Sequence, residues 1–349
     1  MMFDQVGEKD KGYTGRQRAM AMVDLLFTDS SEPSFNIQHG NQLVDAAGDN
    51  ATITAVANVN NALELINNTA YRTAGQSGDT SESHERENSG AIELTSTTNI
   101  ALLRDDDATE DDHHMAWSLV ESLNPTGPNG FQVRDRRTFE VRFPGNKTFT
   151  PSNMVDEGQC VVFQTGYEND YTSPGVNQHI VQFYNQSTGL VTIARNNSNG
   201  WSWAHFTTVE FGSNWKVHYG EVNPSSSLDS GTITLGSSVT DWDNALIVNP
   251  TMDSSSHDQA HGFATFTPGS ALDEVDWDFH SNHSSNNRMA VFVIEHADLN
   301  VTRIDFDTTE TAGEMTVDIT SAGLTDLAQS LDVMPRPASG YAAMSGANA

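Results

Sequence analysis

The sequence predicts a mainly β protein: one or two antiparallel, jelly-roll-like β-sandwiches preceded by a small α-containing N-terminal region. Three observations predict it. From Thr138 onward, apolar and polar residues alternate with period 2 in short runs. Turn clusters such as NNSNG, NPSSSLDSG and HSNHSSNN separate those runs. Before residue 130, apolar residues recur at spacings of 3 and 4, the helical period.

The helical part is read as follows. Thr14 caps a candidate helix over 15–27, with Met20, Met22, Val23, Leu25, Leu26 and Phe27 on its apolar face. Residues 51–66 give a second, with Ala55, Val56, Val59, Ala62, Leu63 and Ile66 facing inward. Thr109 opens a third. Glu110, Asp111 and Asp112 sit in its first turn, where acid favours the helix dipole. Met115, Trp117, Leu119, Val120 and Leu123 form its face, and Asn124-Pro125 ends it. Residues 74–90 are a polar, low-complexity loop. Short helices of this kind need a partner to pack on, so 1–130 reads as a docking region.

Strands are expected at 138–143, 160–166, 179–185, 190–196, 205–211, 215–222 and 232–237, forming a first sandwich over 131–238. A second series at 245–250, 261–268, 274–280, 289–296, 300–307 and 314–320 forms a second sandwich over 239–320. The series run in parallel: CVVF matches ALIV, QHIVQF matches AHGFATF, and FTTVEF matches MAVFVIEH, which suggests a duplication. Residues 321–349 read as an extended tail carrying one short helix at 324–331.

Charge bounds the setting. The chain has 47 Asp+Glu against 17 Lys+Arg, a formal net charge of −30. Its lysines are Lys9, Lys11, Lys147 and Lys216. Such a surface repels itself in dilute salt. Molar salt shrinks the Debye length to about 3 Å and removes most of that cost. The composition therefore reads as adapted to high salt. It also argues against nucleic acid, which needs clustered cations; Arg134, Arg136 and Arg137 read as a local counter-charge. No apolar run approaches the roughly 18 residues of a membrane span, and the first residues lack the apolar core of a secretory signal. Synthesis in a cytoplasm follows as an expectation. The single cysteine, Cys160, reads as a small buried hydrophobe.

Three constellations could carry chemistry. In EVDWDFH, strand alternation puts Glu274, Asp276, Asp278 and His280 on one face, with Val275, Trp277 and Phe279 on the other. Neighbouring carboxylates shift each other's pKa, which suits acid/base work. The histidines His257, His261, His113 and His114 lie near aspartates and are weak metal candidates without a recognised ligand spacing. No resident cofactor is expected, only divalent cations loosely held by acidic loops. Trp201 and Trp203 point the same way on a strand, with Trp215 nearby. They are either sandwich core or, if exposed, a platform for a sugar ring or a protein.

EVDWDFH resembles the Glu-x-Asp-x-Glu strand of family 16 glycoside hydrolases, retaining enzymes on a β-sandwich. The resemblance implies Glu274 as nucleophile and Asp276 as its helper. Asp278 stands where the family carries its acid/base Glu, one methylene shorter, although a retaining pair must sit about 5 Å apart. In composition and module order, the whole chain resembles tail-fibre, baseplate or capsid-decoration proteins of tailed viruses that infect halophilic archaea. That resemblance implies a non-enzymatic virion component, extracellular in high salt and assembled as a homotrimer or ring. Its partners would be other virion proteins and a host surface glycoprotein or glycan, met through Trp201 and Trp203, without a membrane interaction.

Overall fold

The computed structural model describes residues 16–24, 35–44, 48–71, 90–103, 113–142, 145–169, 180–195, 201–223, 230–254, 264–279, 287–308 and 330–333. Within these the chain is antiparallel β-sheet with three short 3-10 turns. The described parts of the expected helices hold no α-helix and are mostly strand. Part of the first is β1 (Arg16–Asp24). The second takes in the end of β3 (Asp49–Thr52), an irregular stretch, the 3-10 turn Val59–Asn61 and the start of β4 (Ala62–Tyr71), and the third is β7 (His113–Ser122). β7 is the centre of its sheet and buries residues on both faces, so its apolar run imitates helical spacing. Of the loop 74–90 only Gly90 is described, as the first residue of a strand, and the strand at 314–320 lies outside the described residues. Of the 324–331 helix, only Ser330 and Leu331 are described, and they begin β21 (Ser330–Val333).

The strands fall into three equivalent units of six, a to f. Unit one comprises β2 (Phe35–Val44), β3, β4, β5 (Gly90–Ser96), β6 (Asn99–Leu103) and β7. Unit two comprises β8 (Phe131–Arg142), β9 (Gly145–Phe149), β10 (Cys160–Asn169), β11 (Val181–Asn185), β12 (Leu190–Arg195) and β13 (Trp201–Phe211). Unit three comprises β14 (Lys216–Val222), β15 (Ser230–Thr234), β16 (Ala245–Ser254), β17 (Ala264–Pro268), β18 (Glu274–Phe279) and β19 (Asn287–Glu295). In every unit the sheets run a-f-c and b-e-d, the winding of a reduced jelly roll. Residue 130 falls in the link between units one and two. Residue 239 falls inside unit three, whose β14 and β15 pair with β19 and β18.

Each unit seals its own sandwich. In unit three, Ile233, Phe266 and Trp277 of b-e-d meet Ile247, Met289, Val291 and Val293 of a-f-c. In unit one, Ile92 and Leu102 meet Met115, Trp117 and Leu119. A 3-10 turn feeds strand c in all three: Val59–Asn61, Glu157–Gln159 and Trp242–Asn244. The side chains of Asn58, Asp156 and Asp241 cap these turns by accepting the N–H two residues on. A buried glutamate near the end of strand f then holds the residue before each cap. Glu121 accepts the Ala57 N–H at 2.5 Å, Glu210 that of Val155 at 2.8 Å, and Glu295 that of Thr240 at 3.0 Å. Their other partners differ. Asn36 donates to Glu121 (3.4 Å) and Arg134 to Glu210 (2.9 Å), while Lys216 donates to Glu295 (3.0 Å) and His218 Nε2 lies 3.1 Å from it.

The outer faces of the a-f-c sheets share one core. Ile37, Leu63 and Val120 of unit one join Val133, Phe163 and Val209 of unit two and Leu246, Phe292 and Ile294 of unit three. The first residues of successive a segments converge there. Phe35 stacks on Phe131 with centroids 5.7 Å apart and meets Trp215 edge-on at 6.3 Å, and Trp215 lies 4.8 Å from His296. Asn129 ties the links together: its carbonyl accepts Trp215 Nε1 (2.9 Å), and its Oδ1 accepts Asn214 Nδ2 (2.6 Å) and meets His296 Nε2 (3.2 Å).

The joints between units are polar and specific. Arg136 of β8 pairs with buried Glu64 at 3.0 Å and donates to the carbonyls of Val59 (3.0 Å) and Ala62 (2.7 Å) in the turn of unit one. Arg303 repeats this on unit three, donating to the Trp242 and Ala245 carbonyls, both at 2.7 Å. Between units two and three, Asn249 does the joining. With φ 46°, in the left-handed region Asn tolerates, it accepts the Gln164 N–H (2.8 Å) and donates to the Val162 carbonyl (2.7 Å). Between units one and two, β5 pairs with β10 at Ala91↔Gly166 and fuses two sheets into six strands. Gly166 has φ 136°, and a Cβ there would lie 2.4 Å from Ala91 Cα, so only glycine fits.

A seventh three-stranded array repeats the a-f-c pattern. β20 (Asn300–Thr308), β1 and β21 are ordered β20-β1-β21. Asp24 of β1 stands opposite Asn300 and Ser330, as Glu295 stands opposite Lys216 and Ala245. β1 thus occupies the f position of a fourth unit.

Two outcomes follow. Replacing Arg136 by Ala strips buried Glu64 of its cation and is expected to cost about 3–5 kcal/mol, read as a lower guanidinium midpoint in molar salt. Burial would raise the Glu295 carboxyl, but hydrogen bonds from Thr240, Lys216 and His218 outweigh it and hold the pKa below the ordinary 4.5. A depressed folded-state pKa stabilises above the unfolded value and is lost as pH falls through the folded one. Denaturation between pH 7 and 3 is therefore expected to steepen below pH 4.5. Glu295→Gln should be less stable at pH 7 and show a shallower acid loss.

Candidate functional site

The strand that carries the acidic run, β18, is the centre of the β15-β18-β17 sheet. Val275 and Trp277 point into the sandwich and are buried. Glu274 and Asp276 are half-buried and Asp278 is exposed, on the opposite face, as strand alternation requires. Thr232 Oγ1 donates to Asp276 Oδ1 at 2.9 Å. Glu274 Oε2 accepts from Ser270 Oγ (3.3 Å) and the Ala271 N–H (3.2 Å). Cross-strand neighbours add hydroxyls: Thr232 and Thr267 flank Asp276, and Ser230 and Thr265 flank Asp278. The result is an outward, hydroxyl-lined acidic face. His280 lies outside the described residues.

That face is a departure from the repeat. In unit two, Thr192 and Ala194 hold the places of Asp276 and Asp278, because Phe149↔Val191 matches Ile233↔Val275. Ala194 is buried in the shared core, whereas Asp278 is exposed, so the acids of β18 are particular to unit three rather than a feature of the repeat.

The tryptophans separate. Trp203 on β13 is 37 % exposed and stands between Glu140 and Glu168 in the sheet. Trp201 opens the same strand opposite Arg142. Trp215 is buried beneath Phe211 and His296 and belongs to the shared core. Burial also holds the pKa of His296 below its ordinary value, against the pull of Asp298.

His113 and His114 open β7, where their backbones pair with β2 and β4 rather than starting a helix. His257 and His261 lie outside the described residues. Among the described residues, no group of three or more His, Cys, Asp or Glu is placed to hold a metal ion.

The buried glutamates Glu121, Glu210 and Glu295 are the polar residues that sequence reasoning missed. A signal was present: NVNNAL, DEGQCV and DWDNAL share an Asx followed four residues later by Ala or Cys. No family model matches the chain, and no curated protein and no solved structure matches it either.

Cys160 begins strand c of unit two, fully buried, with Sγ 3.3 Å from the Asp156 carbonyl. Burial, helped by Glu210, pushes its pKa up to about 12. At pH 8 the native protein is expected to resist iodoacetamide and to label fully once unfolded in guanidinium. Rapid native labelling would contradict this placement.

Proposed function

We propose that this protein is a structural and attachment component of a particle that assembles in high salt, of the kind built by halophilic viruses. It binds copies of itself and neighbouring particle proteins, and it meets a glycosylated host surface through the exposed Trp203 and through Trp201 of the same strand. The observation that carries the reading is where the polar groups go. Arg136, Arg303, Asn249 and Asn129 join unit to unit across a common core. Rigid sandwich modules in a closed array suit a load-bearing, surface-presenting part. The net charge of −30 suits one that works in brine.

A glycoside hydrolase centred on Glu274, Asp276 and Asp278 is the competing reading. Its support is the shared outward face of β18 and the departure of that face from the repeat.

Mass photometry in molar salt tests the assembly reading. Discrete higher-order species are expected, dispersing when salt is dialysed to the millimolar range; a monomer at both salt levels would overturn it. Trp203→Ser is expected to weaken binding to host envelopes at least about tenfold, the loss of an aromatic anchor. Glu274→Gln is expected to leave binding unchanged. Release of sugar from cell-surface polysaccharide by the wild type, abolished in Glu274→Gln, would transfer the function to the enzyme reading.

A further inference from the structure

We propose that β1 is an exchangeable strand, donated into the slot between β20 and β21 of a second copy of this chain. The slot is defined by pairing. Among the described residues, β20 and β21 are joined through β1, which bonds along its length to β20 and at Ala21–Asp24 to β21. The register is that of every other f strand. Asp24 pairs with Ser330 as Glu121 pairs with Ala62, Glu210 with Cys160 and Glu295 with Ala245. The sequence around the acceptor repeats as well: 325–333 reads TDLAQSLDV where 240–248 reads TDWDNALIV. A fourth unit is therefore encoded in two pieces, with its central strand lying before unit one.

The connection makes exchange feasible. From f to the next a segment, units two and three use four residues each, 212–215 and 296–299, and unit one uses eight, 123–130. β1 is followed by residues 25–34 before β2 begins. Ten residues reach roughly 33–36 Å when extended. The same strand pairs form whether β1 comes from its own chain or a neighbour, so concentration decides between them. At −30 per chain, approach of two copies is opposed in dilute salt and permitted when molar salt screens it. This inference is independent of what the chain attaches to.

Cysteines at facing register positions test it. Ala21 and Val333 are partners across β1 and β21. Two full-length chains, one Ala21→Cys and the other Val333→Cys, are unfolded together, refolded at high concentration in molar salt and oxidised. Exchange predicts a reducible species of twice the 38.0 kDa chain mass. It should be absent when either variant is refolded with wild type, a mixture that controls for Cys160. Ala19→Cys with Asp305→Cys, partners across β1 and β20, repeats the experiment where the first pair fails to refold. No covalent dimer from either mixed pair overturns the proposal. So does a double variant, Ala21→Cys with Val333→Cys, that cross-links only within one chain.

Discussion

The structure depends on one constraint: each a-f-c sheet is apolar on both faces, so each needs two covers. In β19, Met289, Val291 and Val293 face the unit's own b-e-d sheet, while Ala290, Phe292 and Ile294 face the neighbouring units. β7 divides the same way, with Met115, Trp117 and Leu119 on one side and Val120 on the other. A single such sandwich would leave an apolar sheet face in water. Packing these faces together removes it, and that requirement makes the array rather than the unit the stable object.

Stacking apolar faces fixes neither order nor angle, and the polar contacts supply both. The turn before strand c exposes carbonyls at one end of each unit, and an arginine from the next unit reads them. Arg136 does this on unit one and Arg303 on unit three. At the remaining joint the place of arginine is taken by Tyr219, whose hydroxyl accepts the Tyr184 N–H at 3.0 Å, while Tyr184 donates to the Glu157 carbonyl at 2.8 Å. In a chain with 17 basic residues, Arg134, Arg136, Lys216 and Arg303 all serve interior or half-buried acceptors. The scarce cations are thus placed where acceptors are desolvated and need their own partners.

Much of the fold was legible where one face of a strand is wet. Residues 274–279 alternate cleanly, and β18 lies where the alternation puts it. The paired runs CVVF and ALIV, QHIVQF and AHGFATF, FTTVEF and MAVFVIEH supply strands c, d and f of units two and three. Unit one was hidden because β4 and β7 are apolar on both faces, and a two-faced strand has no period-2 signature. Misreading ALELIN as helix concealed the third copy and, with it, the Asx turn that all three share. Trp215 was ambiguous for a related reason: its ring neighbours Phe35, Phe211 and His296 come from distant parts of the sequence, a meeting that no local pattern encodes. The acidic face of β18 was placed correctly, but only the repeat shows that it differs from its counterpart in unit two.

Closure changes how such an array holds together. In an open solenoid, each repeat answers only to its neighbours, and folding spreads from any point. Here β1 lies between β20 and β21, so the fourth array cannot form until strands from both sides of the three complete units have met. That contact spans most of the sequence and carries a correspondingly late entropic return. The f position intensifies the effect, because it is the central strand: without it β20 and β21 have no ladder to each other. The fourth array is thus the one whose parts are most widely separated in the sequence. An acceptor so defined depends on register and strand chemistry, not on which chain supplies the strand.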